Sequence, residues 1–315
     1  VILNARNNTV YLSYFGLSEK PFSIAPNPEY LFLSERHKEA LAHLTYGLGE
    51  AGGFVLLTGE VGTGKTTLTR SLQEQLPENT QVAQIHNPAL SQLELLASIC
   101  DELKIEYDST NATLKTLTDV IKKHLEANNQ AGGHTILIID EAQLLAPDVL
   151  EQLRLLTNIE TDHKKLLQIV LVGQPELQEL LKRTELRQLA QRITARYHLL
   201  PLTEGQVFAY VKHRLFKAGT EQALFSGDAL KAIYQVTQGV PRLINLLCER
   251  CLVGAFSQQK LSIDSELVML SAAEALPPTS TPVATVTNKE PSYVWLYPVS
   301  FLAVLGMGIG LSYLI

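Results

Sequence analysis

Eight consecutive residues, Gly59-Glu60-Val61-Gly62-Thr63-Gly64-Lys65-Thr66, have the types and spacing of a phosphate-binding loop, G-x-x-x-x-G-K-[ST]. The glycines let the backbone curl so that successive N–H groups face an anion, at the positive end of the helix that follows. Lys65 supplies a cation for the β- and γ-phosphates, Thr66 a hydroxyl ligand for Mg²⁺, and Thr67 extends the same cradle. A second pair of residues, Asp140-Glu141, follows the apolar run Thr135–Ile139. Asp140 suits Mg²⁺, directly or through water, and Glu141 is placed to orient or deprotonate an attacking water. Taken alone, the first motif could be a Gly-rich turn and the second two solvated acids. Together they are expected to meet over one γ-phosphate, with ATP and Mg²⁺ as ligands and hydrolysis as the chemistry.

Such loops need a strand before them and a helix after them. The flanks here are FVLLT and TTLTRSLQEQL, which meet both requirements. Residues 50–202 alternate short apolar runs with longer helical patterns, which predicts an α/β fold with a parallel sheet. The expected strands are Phe54–Thr58, Val82–His86, Thr135–Ile139, Ile169–Val172 and Tyr197–Pro201. Helical patterns fill the gaps, including Leu90–Leu103 and Leu114–Ala127. After Thr203 the pattern is helical throughout, over Glu204–Ala218, Gly227–Gln238 behind Ser226, Pro241–Ser257 and Ser265–Ala275. The expected division is an α/β core with its N-terminal segment over 1–202, a helical lid over 203–276, a Pro/Thr/Ser-rich linker over 277–292 and a membrane-spanning helix over 293–315. The last segment holds 23 residues without a charge and opens on Tyr293, Trp295 and Tyr297, the place of an aromatic belt. As a helix it would reach ~35 Å, enough for a ~30 Å hydrocarbon core.

These motifs resemble those of the AAA+ ATPases. The strand IVLVG followed by Gln174 occupies that superfamily's sensor 1 position, LRQLAQRITARYHLLPL resembles the arginine-finger segment, and Gly239-Val-Pro241-Arg242-Leu-Ile-Asn245 resembles the sensor 2 motif of the lid. YLSYFGLSEKPFSIAPNPEYLFLSERHKEAL, LVGQPEL and GVPRLINLLC narrow the resemblance to the general secretion pathway protein A family, over residues ~11–275. The resemblance implies that Gln174 senses the γ-phosphate, that Arg192 is the finger acting in a neighbouring subunit, with Arg187 and Arg196 as rivals, and that Arg242 reaches the nucleotide from the lid. Asn87 is a candidate restraint on Glu141. It also implies a homo-oligomer in the bacterial inner membrane with its ATPase domain in the cytoplasm, working with a membrane partner protein to assemble a type II secretion secretin. Peptidoglycan binding belongs to a further domain of that family and is not expected of these residues.

Composition bounds the alternatives. The 315 residues carry 26 Lys+Arg and 32 Asp+Glu, a net charge of −6, with 46% hydrophobic and 18% charged residues. This excludes a disordered chain and argues against a protein whose affinity lies mainly in phosphate backbones. It sets the rival reading, a DNA-associated AAA+ regulator of the transposition ATPase type, at a disadvantage. Three cysteines point to a reducing compartment, and Cys248 and Cys251 read as buried structural thiols rather than a redox pair. Arg36, His37 and Lys38 read as a solvated helix face, and Tyr14, Phe15 and Phe22 as packing or as cover for the base. The N-terminus shows no signal peptide. Val1 in place of Met and the apolar end at Ile315 suggest a chain continuing beyond both.

Overall fold

The apolar strands of the sequence assemble into a five-stranded, all-parallel sheet in the order β2-β3-β4-β1-β5. The computed structural model describes residues 11–276, except 26, 50–52, 87, 162 and 163. The strands are β1 (Phe54–Gly59), β2 (Thr80–Ile85), β3 (His134–Ile139), β4 (Gln168–Gly173) and β5 (Ile193–Leu199). Central strands of a parallel sheet are buried on both faces, and successive side chains alternate between them. Phe54 and Leu56, Leu137 and Ile139, and Ile169 and Leu171 face one apolar cluster. Val55 and Leu57, Ile136 and Ile138, and Val170 and Val172 face the other.

Helices α1 (Glu35–Gly49) and α2 (Lys65–Glu74) cover the second face, and α3 (Gln92–Glu102), α4 (Leu114–Gln130) and α5 (Pro147–Leu156) the first. Short helices α6 (Glu176–Leu181) and α7 (Arg187–Ala190) connect β4 to β5. Reciprocal capping boxes start α3 at Ser91 with Glu94, and α8 (Glu204–Lys217) at Thr203 with Gln206. Helices α9 (Gly227–Thr237), α10 (Pro241–Ser257) and α11 (Ser265–Ala275) complete a helical layer with α8. Ser226 caps α9 and Asp264 caps α11.

The N-terminal segment packs its side chains into that helical layer. Tyr11, Phe15, Leu17 and Phe22 join Val211, Leu215, Leu247 and Leu252 in one cluster. Phe15 and Phe22 are therefore packing residues, 2% and 1% exposed. Cys248 and Cys251 are fully buried there and unpaired. The fifth strand departs from the sequence expectation, lying at Ile193–Leu199 instead of Tyr197–Pro201. It is an edge strand whose Thr194, Arg196 and His198 face outward, so its apolar density is low. Pro201, which cannot donate to a ladder, lies beyond it.

The described residues form one compact unit ending at Leu276. The linker at 277–292 and the span at 293–315 lie outside the described residues. Among the described residues no helix is long and apolar enough to cross a membrane.

Candidate functional site

In a parallel sheet the loops at the carboxyl ends of the strands gather at one edge, and ligands bind there. β1 ends at Gly59 and delivers the phosphate loop; β3 ends at Ile139 and delivers Asp140, whose N–H donates to the Ile85 carbonyl at 2.9 Å. The loop curls through Gly62 (φ +81°) and Gly64 (φ +103°) into the first turn of α2. Both positions are crowded as well as left-handed. A Cβ on Gly62 would lie 2.5 Å from the Arg242 Cβ, and one on Gly64 2.9 Å from His37 Nε2.

Lys65 is 6% exposed, and its Nζ donates to the carbonyls of Gly59 at 2.8 Å and Glu60 at 3.1 Å. Burial lowers its pKa, an effect opposed by the charges of Glu141, Asp140, Glu60 and Glu176. Glu60, Val61 and Thr67 are exposed and Thr63 is buried. The Thr63 hydroxyl donates to the Glu60 carbonyl at 2.9 Å, which holds the curl closed. Thr66 Oγ1 donates to Asp140 Oδ2 at 3.1 Å, so the two expected Mg²⁺ ligands are adjacent.

Glu141 adopts a left-handed conformation (φ +51°), uncommon for a residue with a Cβ, and its N–H donates to Asp140 Oδ1 at 2.9 Å. Its carboxylate Oε2 accepts from Gln143 Nε2 at 2.6 Å and from Gln174 Nε2 at 3.2 Å. The Gln174 N–H in turn donates to Gln143 Oε1 at 3.0 Å. Burial alone would raise the Glu141 pKa. The two amide donors and the Lys65 charge outweigh it, and the carboxyl sits below its usual range. Glu141 is therefore ionised at neutral pH, as a base or water-orienting group must be.

Arg242 comes from the first turn of α10, where Leu202 N–H donates to Gly239 O at 2.9 Å and ties the helical layer to the exit from β5. Its own N–H donates to Gly62 O at 3.2 Å, and it lines a cleft of about 420 Å³ together with Lys65, Thr66 and Glu141. Arg192 is elsewhere. It precedes β5 at the end that pairs with Phe54, the opposite end of β1 from the phosphate loop. Its Nη1 donates to Asn158 Oδ1 at 2.6 Å, Thr157 Oγ1 at 3.1 Å and Arg154 O at 3.3 Å. Arg187 is exposed, and Arg196 donates to the Ala190 carbonyl at 2.7 Å. Within one chain, then, Lys65, Thr66, Asp140, Glu141, Gln174 and Arg242 converge and none of the three arginines joins them.

His37 corrects the solvated-face reading of residues 36–38. It is 5% exposed, with Nδ1 at 2.7 Å from Ser34 Oγ and Nε2 at 3.3 Å from Thr63 O, so its ring buttresses the loop. Burial holds its pKa below the ordinary 6.5. The neutral ring can accept from Ser34 and donate to Thr63. Arg36 donates to the Pro201 carbonyl, and Lys38 pairs with Glu35 at the surface. Gln143 was not singled out from the sequence, although it stands two residues past the acidic pair; its contact depends on the left-handed turn at Glu141. Asn87 lies outside the described residues.

The donors fit the expected group. Thr66 and Asp140 offer the hard oxygen ligands that Mg²⁺ takes one or two at a time from protein, beside phosphate oxygens and water. No cluster of three or more His, Cys, Asp or Glu residues suited to a metal occurs among the described residues.

Comparison with known proteins agrees with this geometry. Residues 49–181 match the family model described as an AAA domain. The chain is 58% identical over 265 residues to general secretion pathway protein A from Aeromonas hydrophila, a match covering 84% of this chain and 48% of that protein. The chain thus spans about half the length of that curated relative. Among solved structures it resembles Cdc6p from Pyrobaculum aerophilum (22% identity, TM-score 0.64, covering 82% of this chain and 72% of that one). It also resembles Drosophila ORC bound to DNA (20% identity, TM-score 0.62, covering 82% and 65%). At those identities the likeness is one of fold.

Proposed function

Because the chain carries a domain of the AAA family and is related to general secretion pathway protein A through most of its length, we propose that it binds ATP with Mg²⁺ and hydrolyses it. The observation that carries this reading is Glu141, strained into a left-handed turn and hydrogen-bonded by two amides beside the Thr66–Asp140 pair. Backbone strain of this kind persists where surrounding structure over-determines it, often at functional sites. Lys65 and the loop N–H groups would hold the β- and γ-phosphates, and Arg242 would approach the same phosphates from the lid. Mg²⁺ held by Thr66 and Asp140 would supply charge neutralisation on the phosphate oxygens. Glu141 takes the proton of the attacking water, and Gln174 positions that carboxylate. The finger arginine, Arg192 or its rivals Arg187 and Arg196, would come from a neighbouring subunit of a homo-oligomer.

The work done with this hydrolysis is proposed by kinship: a membrane-anchored ATPase of the inner membrane that assists assembly of a type II secretion secretin with a membrane partner. The uncharged segment 293–315 would be the anchor. Crosslinking in intact membranes, followed by identification of the captured proteins, tests this; recovery of envelope secretion components supports it. A salt-dependent shift of duplex DNA by residues 1–276, without such capture, would replace it with the DNA-associated reading.

A further inference from the structure

Arg214 lines the same cleft but bonds to none of the proposed hydrolytic residues; it is 7% exposed and makes no salt bridge within the described residues. Burying a guanidinium is costly unless its donors are satisfied. Here they are satisfied by the N-terminal segment. Nε donates to the Pro21 carbonyl and Nη2 to the Ser23 carbonyl at 3.1 Å, while Nη1 donates to the Tyr210 hydroxyl at 3.0 Å. The guanidinium carbon lies 4.8 Å from the centre of the Tyr30 ring, a cation–π distance. The Tyr210 hydroxyl in turn donates a hydrogen bond to Asn245 Oδ1 at 2.8 Å, on α10, three residues after Arg242.

Two further contacts tie the same segment to the same helices. Ser18 donates to the Ala218 carbonyl through its N–H (2.8 Å) and its hydroxyl (2.9 Å), and the Tyr11 hydroxyl donates to Glu249 on α10 at 2.6 Å. The segment therefore hangs on α8 and α10 at three points. Beyond the third it continues as Ile24, Asn27 and Phe32, which line the same cleft as Lys65 and Thr66, as do Arg214 and Tyr210 themselves.

We propose that Arg214 is a positioning residue that fastens this strap to the lid, so that the strap wall of the cleft moves with α8–α11 while the phosphate loop and Lys65 stay with the sheet. The inference rests on the nucleotide reading of the cleft. A nucleotide with its phosphates on Lys65 and the loop leaves its nucleoside on the strap side, so a loosened strap costs binding to the nucleoside and spares binding to the phosphates.

The test measures the affinities of ADP and of inorganic pyrophosphate, each with Mg²⁺, by calorimetry on the full chain, in wild type, Arg214→Gln and Arg214→Lys. Hydrogen exchange at residues 17–23 is followed in parallel. Loss of two charge-assisted bonds predicts about tenfold weaker ADP binding in Arg214→Gln, with pyrophosphate within about twofold of wild type and faster exchange at 17–23. Arg214→Lys keeps the charge and one carbonyl bond and should fall between. If Arg214→Gln does not fold, the Lys variant decides alone. Equal weakening of ADP and pyrophosphate, or weakening of neither, overturns the proposal. Wild type that binds neither ligand would remove the nucleotide reading, and this inference with it.

Discussion

The chemistry of single residues sets the first expectations. Lys65, Thr66 and Asp140 were legible because a phosphate loop and a strand-end acid have fixed spacing, and the structure places Thr66 and Asp140 at 3.1 Å. His37 and Gln143 were not, because their roles depend on contacts across the fold: His37 reaches Thr63, 26 residues away, and Gln143 reaches Gln174. His37 carries a pH prediction. Its folded pKa lies below the ordinary 6.5, so the unfolded chain binds more protons as the pH falls. Its contribution to stability is complete above about pH 6.5 and is lost as the pH falls toward the folded value. Melting wild type and His37→Gln between pH 7.5 and 5.5 should show a steeper fall in Tm for wild type; parallel curves would contradict the buried neutral ring. At Glu141, replacement by Gln leaves an amide that cannot take a proton. Hydrolysis should drop about 100-fold or more while ATP affinity stays within about threefold of wild type.

Elements were legible where one face or both are apolar over a full run. The central strands and the helices after Thr203 lie close to where their periodicity puts them, since burial on both sides of a parallel sheet leaves nearly unbroken apolar sequence. The edge strand β5 was misplaced because three of its seven residues face outward, and the apolar run after it drew the strand toward Pro201. The N-terminal strap was legible as a packing segment, but its partner was not: nothing local to Phe22 announces that it meets Phe225, with ring centres 6.0 Å apart. Phe22 is 1% exposed, and truncating it removes a ring from the shared cluster of strap and helices. Phe22→Ala should cost about 3–5 kcal/mol in denaturant unfolding. A loss under about 1 kcal/mol would mean that the strap is not part of that core.

At the scale of the whole molecule, one chain brings together every proposed hydrolytic residue except an arginine finger. Arg192 is bound to the C-terminal end of α5, so Arg192→Ala should lower stability by about 1–3 kcal/mol in a melt, whatever it does to turnover. If Arg192 also acts across a subunit interface, mixing Lys65→Ala with Arg192→Ala chains should restore hydrolysis that neither variant has alone, because some interfaces then pair an intact loop with an intact arginine. Full activity of Arg192→Ala by itself would transfer the role to Arg187 or Arg196. All of this presupposes that the cleft turns ATP over, and one measurement addresses that directly. Steady-state ATP hydrolysis and ATP affinity should be compared for wild type, Lys65→Ala and Glu141→Gln. The expected result is turnover by wild type alone, with ATP bound by Glu141→Gln and not by Lys65→Ala. Wild type that hydrolyses ATP no faster than the two variants would contradict the hydrolytic reading of the site.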